Sequence, residues 1–107
     1  MSELEKRKKA AEAKFAVGEE IVFKAIIKRD RIVSKWIASK FFSMDEKDTS
    51  DFIESAVKAN LERPGDDDIL EFFEHFFSQK GQLFDRNEIV EQLAITYEKI
   101  LDEDSNE

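Results

Sequence analysis

The chain has 107 residues, a formal net charge of −8, no cysteine, three glycines and one proline. The length suits one domain, and the absence of cysteine excludes a disulfide framework, a thiolate metal site and a cysteine nucleophile. The first residues, MSELEKRKKAAEAK, put charge where a secretory signal needs an apolar run, and no apolar stretch approaches the roughly 20 residues that cross a bilayer; a soluble, cytoplasmic protein is expected.

Charge is unevenly spread. Residues 1–40 carry 11 Lys or Arg against 6 Asp or Glu, a balance of +5, and residues 41–107 carry 6 against 19, a balance of −13. Such asymmetry between halves points to an interaction, or to two halves that attract each other within a bundle. With so few breakers, 41% hydrophobic and 39% charged residues, charged helices are expected rather than strands and turns.

The first segment, 2–17, opens with Ser2 and Glu5 in capping-box spacing and contains the helix formers Ala10, Ala11, Glu12 and Ala13. Its apolar face is thin: Leu4, Ala11 and Phe15, with Lys8 at a position where another apolar residue would sit. A short helix of this kind is marginal alone. Gly18 costs on the order of 1 kcal/mol inside a helix, so it either ends this segment or hinges it to the next.

The second segment, 19–42, carries Val22, Phe23, Ile26, Val33, Trp36, Ile37 and Phe41 at helical steps, with Lys24, Lys28, Arg31 and Lys35 on the opposite side. Ser43, with Glu46 three residues on, marks the next start, for a helix over 45–62 whose face is Phe52, Ile53, Ala56, Val57 and Leu61. The stretch ERPGDDD stops it, because Pro64 disfavours a helical Arg63. Asp66 is then an N-cap, with Asp67 and Asp68 on the positive end of a third helix over 67–79. Phe72, Phe73, Phe76 and Phe77 ring most of that helix, which predicts that it is wedged among others, and Gly81 is its C-terminal stop. Asp85 followed by Glu88 starts the last helix, 86–101, with Ile89, Val90, Leu93, Ala94, Tyr97, Ile100 and Leu101 as its stripe and DEDSNE as a solvated tail. The whole is an all-α four-helix bundle preceded by a mobile or helical N-terminal arm.

Catalytic groups are scarce. His75 is the only histidine and is read as a packing or surface residue, with no partner for a metal or a triad. Asp66, Asp67 and Asp68 lack the remaining ligands of a calcium loop and are read as caps. No phosphate loop is present. The basic run at 6–9 lacks interleaved aromatic residues for nucleic acid, and the first segment lacks the apolar face of a membrane-surface helix. Trp36, in helical register with Val33 and Ile37, is read as core rather than as a ligand platform. The residues therefore suggest no enzyme, no metal and no cofactor.

Two blocks carry a resemblance. In EAKFAVGEEIVFKAIIKRDRIVSKW, the residues Glu12, Ala13, Lys14, Phe15, Ala16, Glu19, Glu20, Phe23, Lys24, Ala25, Lys28, Arg29 and Trp36 resemble the start of the zeta subunit of alphaproteobacterial F-type ATP synthases. In KANLERPGDDDIL, the residues Ala59, Glu62, Pro64, Gly65, Asp66, Asp68 and Leu70 resemble a second block of that family. The resemblance covers residues 12–70, and the last helix matches only in general pattern.

It implies a bundle, 19–107, that anchors on the catalytic head, and an arm, 1–18, that enters a catalytic interface and blocks ATP hydrolysis, a role analogous to that of the mitochondrial inhibitor protein. Lys6, Arg7, Lys8, Lys9 and Lys14 would pair with acidic groups of the head, and Leu4, Ala11 and Phe15 would fill apolar grooves. Weak ATP or ADP binding is also associated with the family; Lys24, Lys28 and Arg29 are the candidates to face phosphates. A free monomer is expected. The family commonly has His-Asp where this chain has Val17 and Gly18, which weakens the continuity of arm and bundle. The competing reading is a helical adaptor with an inert tail.

Overall fold

The computed structural model describes the backbone of residues 3–61, 63 and 65–105, and the side chains of that span from 20 to 103. Four helices follow one another: α1 (Glu3–Phe42), α2 (Glu46–Leu61), α3 (Asp67–Gln79) and α4 (Arg86–Ser105), with no strand among the described residues. The side chains of the proposed arm, the Ser2 cap and Pro64 lie outside the described residues.

Directions alternate along the chain. Lys40 meets Glu88, and Lys28 meets Glu103, so α4 runs antiparallel to α1. Arg29 meets Asp66 at one end of α3, while Phe41 and Phe42 pack on Phe77 near the other, so α3 runs parallel to α1. Helices α2 and α4 flank α1, and α3 lies across the diagonal. Short connections between antiparallel neighbours produce this arrangement.

The core is one cluster drawn from all four helices: Val33, Ile37, Phe52, Ala56, Ile69, Phe73, Phe77, Ile89 and Leu93 among others. Phe73 and Phe77 are buried, and Phe72 and Phe76 are half-buried, as expected of a wedged helix. Phe52 lies 4.7 Å from Phe76 and 5.9 Å from Phe73, between ring centroids. Such pairs add about 0.5–1.5 kcal/mol each beyond the area they bury. Trp36 packs edge-on to Phe41 at 5.6 Å against this core, so it is core rather than platform.

Several boundaries differ from the sequence expectation. The helix runs unbroken through Gly18, making one 40-residue α1 instead of two segments. The good helix formers on both sides sum to more than the glycine's cost of on the order of 1 kcal/mol. Ser43 does not cap α2; it takes φ 47 and turns the chain out of α1, where the Met44 amide donates to the Ala38 carbonyl. The cap is Asp45, whose Oδ1 accepts from the Asp48 amide at 2.7 Å. Helix α2 accordingly begins at Glu46 rather than at 45 and is described to Leu61. Helix α4 continues to Ser105 rather than stopping at 101, because no Gly or Pro interrupts it and each further residue adds a backbone bond.

Other signals hold. Asp85 Oδ1 accepts from the Glu88 amide at 3.2 Å. Gly81, at φ 67, closes α3: the Gln82 amide donates to Phe77 and the Gly81 amide to Ser78. This is the Schellman pair of bonds, which needs a left-handed residue where Gly81 stands.

Candidate functional site

The side chains of α1 from Ala25 onward are packed by the bundle, and the helix begins about six turns earlier, at Glu3. Ala25, Arg29, Val33 and Ile37 follow at four-residue steps and are all buried. Val22, Phe23 and Ile26 continue the same face. Yet Val22 is 40% and Phe23 51% exposed, although periodicity assigned both to the buried face. The amphipathic stripe outruns the helices that cover it.

A polar cluster sits at this junction. Arg29 is 5% and Asp30 1% exposed. The Arg29 guanidinium donates to Asp30 Oδ1 from Nε at 3.0 Å and from Nη2 at 2.8 Å. It also donates to Asp66 from Nη2 at 2.7 Å and from Nη1 at 3.2 Å. Asn60 Nδ2 donates to Asp30 Oδ2 at 2.6 Å. One fork thus ties α1 to the residue before α3, and the neighbouring carboxylate ties α1 to the end of α2. Asn60 Oδ1 and Ser34 Oγ are buried there without a hydrogen-bond partner among the described residues.

The electrostatics follow from burial. Burial pushes the Asp30 carboxyl up from its ordinary value, outweighing the lowering pull of Asn60 and Arg29, and Asp66 adds to the rise. Burial pulls Arg29 down, but Asp66 and Asp30 more than offset it, so the guanidinium stays charged. Two carboxylates share one cation, an arrangement that holds because each oxygen facing it accepts a hydrogen bond.

Asp66 therefore does not cap as expected. It occupies the N-cap position, but its side chain makes no capping bond and is given to Arg29. Periodicity missed Asn60 and Asp30 as buried residues because both are polar. The signal that locates them is position: Asp30 is one residue off the apolar stripe, and Asn60 lies four residues after Ala56.

The candidate phosphate-facing residues are not equivalent. Lys24 is exposed and pairs with Glu20 at 3.1 Å, and Lys28 is exposed and lies 3.8 Å from Glu103. Arg29 points inward, and its donors are shared between Asp30 and Asp66. The structure does not bring the three onto one surface. Leu4, Lys6, Arg7, Lys8, Lys9, Ala11, Lys14 and Phe15 share α1 with them, but their side chains lie outside the described residues. His75 is exposed. Among the described residues no group of three or more His, Asp or Glu could hold a metal ion, and no helix is long and apolar enough to cross a membrane.

The family model described as ATPase inhibitor subunit zeta matches residues 1–103. No curated protein and no solved structure matches the chain.

Proposed function

Because the chain belongs to the family of ATPase inhibitor subunit zeta, we propose that it is a regulatory subunit that binds the catalytic head of an F-type ATP synthase and blocks ATP hydrolysis through its N-terminal arm. In this reading residues 1–18 are the arm and 19–107 the anchoring bundle, peripheral to the membrane-bound enzyme. The observation that carries it is the unbroken α1, whose apolar face leaves the bundle with Val22 and Phe23 uncovered. A helix that extends a hydrophobic stripe past its own core is completed by a partner. Lys6, Arg7, Lys8, Lys9 and Lys14 supply positive charge for acidic groups of that partner, and Leu4, Ala11 and Phe15 supply apolar anchors.

Continuity gives the mechanism. A helix rises about 1.5 Å per residue, so a bundle seated on the head fixes where the arm enters. The Arg29 cluster holds α1 against the other helices at the point where it leaves them. The test is ATP hydrolysis by the cognate head, with the full chain and with a chain starting at Glu19. Inhibition by the full chain alone supports the proposal; equal inhibition by both moves the activity to the bundle, and inhibition by neither removes it.

A further inference from the structure

At the far end of the bundle, α2 and α3 enclose an open groove of about 730 Å³. Phe42, Met44, Phe72 and Phe76 contribute half-buried apolar surface to it, and Asp48 and Asp51 stand exposed on its α2 side. Both Asp48 and Asp51 lack an ion-pair partner among the described residues. Lys80, on the α3 side, lies over the Phe76 ring at 5.6 Å. The groove thus offers an apolar floor and an acidic wall, the complement of a basic amphipathic helix.

A basic helical segment with a thin apolar face, interrupted by Lys8, lies in the same chain. The basic run Lys6, Arg7, Lys8 and Lys9 accompanies Leu4, Ala11 and Phe15, which recur at helical spacing. It cannot reach the groove of its own molecule. Helix α1 is continuous from Glu3 to Phe42, and from Phe15 to Phe42 it spans about 40 Å. The contact is open only between two copies. We infer that the groove between α2 and α3 takes the N-terminal segment of a second copy, giving a head-to-tail association.

The geometry fixes the character of this contact. Arm and groove are different surfaces, so the association is heterologous, and each added copy leaves one arm and one groove free. Its electrostatic part is exposed, so it weakens as salt shortens the Debye length. It also competes with any other use of the same arm.

Sedimentation of the full chain tests it, from roughly 10 µM to roughly 1 mM protein, at about 20 mM and about 500 mM salt. The expected result is an average mass that climbs with concentration from the 12.5 kDa monomer to about twofold or more at low salt, and less at high salt. Two full-length variants sharpen the test. One carries Lys6→Glu, Arg7→Glu, Lys8→Glu and Lys9→Glu; the other carries Asp48→Lys and Asp51→Lys. Each alone is expected to remain monomeric and cooperatively folded, the Asp48→Lys, Asp51→Lys variant melting only a few degrees lower because Asp48 lies in the first turn of α2, while their mixture associates, because each reversed surface finds its complement on the other. A constant 12.5 kDa mass across the range overturns the inference. So does association that survives in the Asp48→Lys, Asp51→Lys variant alone, or a variant mixture that stays monomeric.

Discussion

Arg29 and Asp66 are 37 positions apart in sequence and meet through two hydrogen bonds of 2.7 and 3.2 Å. The pair closes the end of the bundle from which α1 emerges, and its two sides are unequal. The Arg29 side chain is 6% exposed and that of Asp66 45%. Removing the buried partner leaves Asp30 as an uncompensated carboxylate with only Asn60 to meet it; removing the half-exposed partner leaves a guanidinium that still has Asp30. Arg29→Ala is therefore expected to cost about 3–5 kcal/mol, and Asp66→Ala about 1–2 kcal/mol. Urea unfolding of both variants decides this: similar costs would mean that the cluster does not depend on the buried cation.

The same cluster gives a pH dependence. The fold raises the Asp30 carboxyl above its ordinary 3.8, chiefly through burial. A group raised on folding adds stability that is fully present below its unfolded value and is lost as pH rises through its folded value. The unfolding free energy of the wild type minus that of Asp30→Asn should fall as pH rises from about 3.8 and then level off. Subtracting the variant removes the background of the other carboxylates. A difference that grows with pH over this window would mean that Arg29 and Asn60, not burial, control the group.

The hydrophobic code was legible and the polar code was not. Bounds for α3 at 67–79 follow from the aspartates before it and Gly81 after it, and the structure has the same bounds. The apolar stripes of α2 and α4 predict Phe52, Ala56, Val57, Ile89, Leu93 and Ile100 as core, and all six are buried, whereas Leu61 and Val90 of the same stripes are 48% and 43% exposed. What misled is the assumption that a charge on a basic helix faces water. Arg29 sits four residues from both Ala25 and Val33 and is carried inward with them. Asp30 and the tertiary partner Asp66 together make that position tolerable, and a partner 37 residues away leaves no local signal. Val22 and Phe23 failed in the opposite direction: their periodicity is right, but periodicity does not tell where the covering helices end.

Phe73 is fully buried, on the face of α3 toward Phe52. Phe73→Ala removes a large ring from a cluster with contributions from every helix, so relaxation cannot refill the space. The expected cost is about 3–5 kcal/mol, read as a lower urea midpoint with helix content preserved at low denaturant. A cost below about 1 kcal/mol would mean that the aromatic cluster repacks freely.

Gly81 isolates backbone strain from packing. Its φ of +67 lies in the left-handed region, and a Cβ added there meets nothing within 4 Å. Gly81→Ala should then cost only the conformational term, about 1–2 kcal/mol. Gly81→Asn should cost less, since asparagine tolerates this region. Thermal unfolding of the two variants gives the order. An alanine variant as stable as the wild type would show that the α3 stop rests on the Gln82 to Phe77 bond and not on the residue type.

Gly18 offers the opposite substitution. It stands inside α1, where alanine is favoured over glycine by about 1 kcal/mol. Gly18→Ala is expected to stiffen α1, seen as slower hydrogen exchange of the amides around residue 18. If the arm inhibits as proposed, a stiffer connection loses less conformational entropy on binding. The variant should then reach half-inhibition of ATP hydrolysis at up to about fivefold lower concentration, the equivalent of about 1 kcal/mol. Slower exchange with unchanged inhibition would separate the two effects: α1 would be stiffer, but continuity between arm and bundle would not limit inhibition.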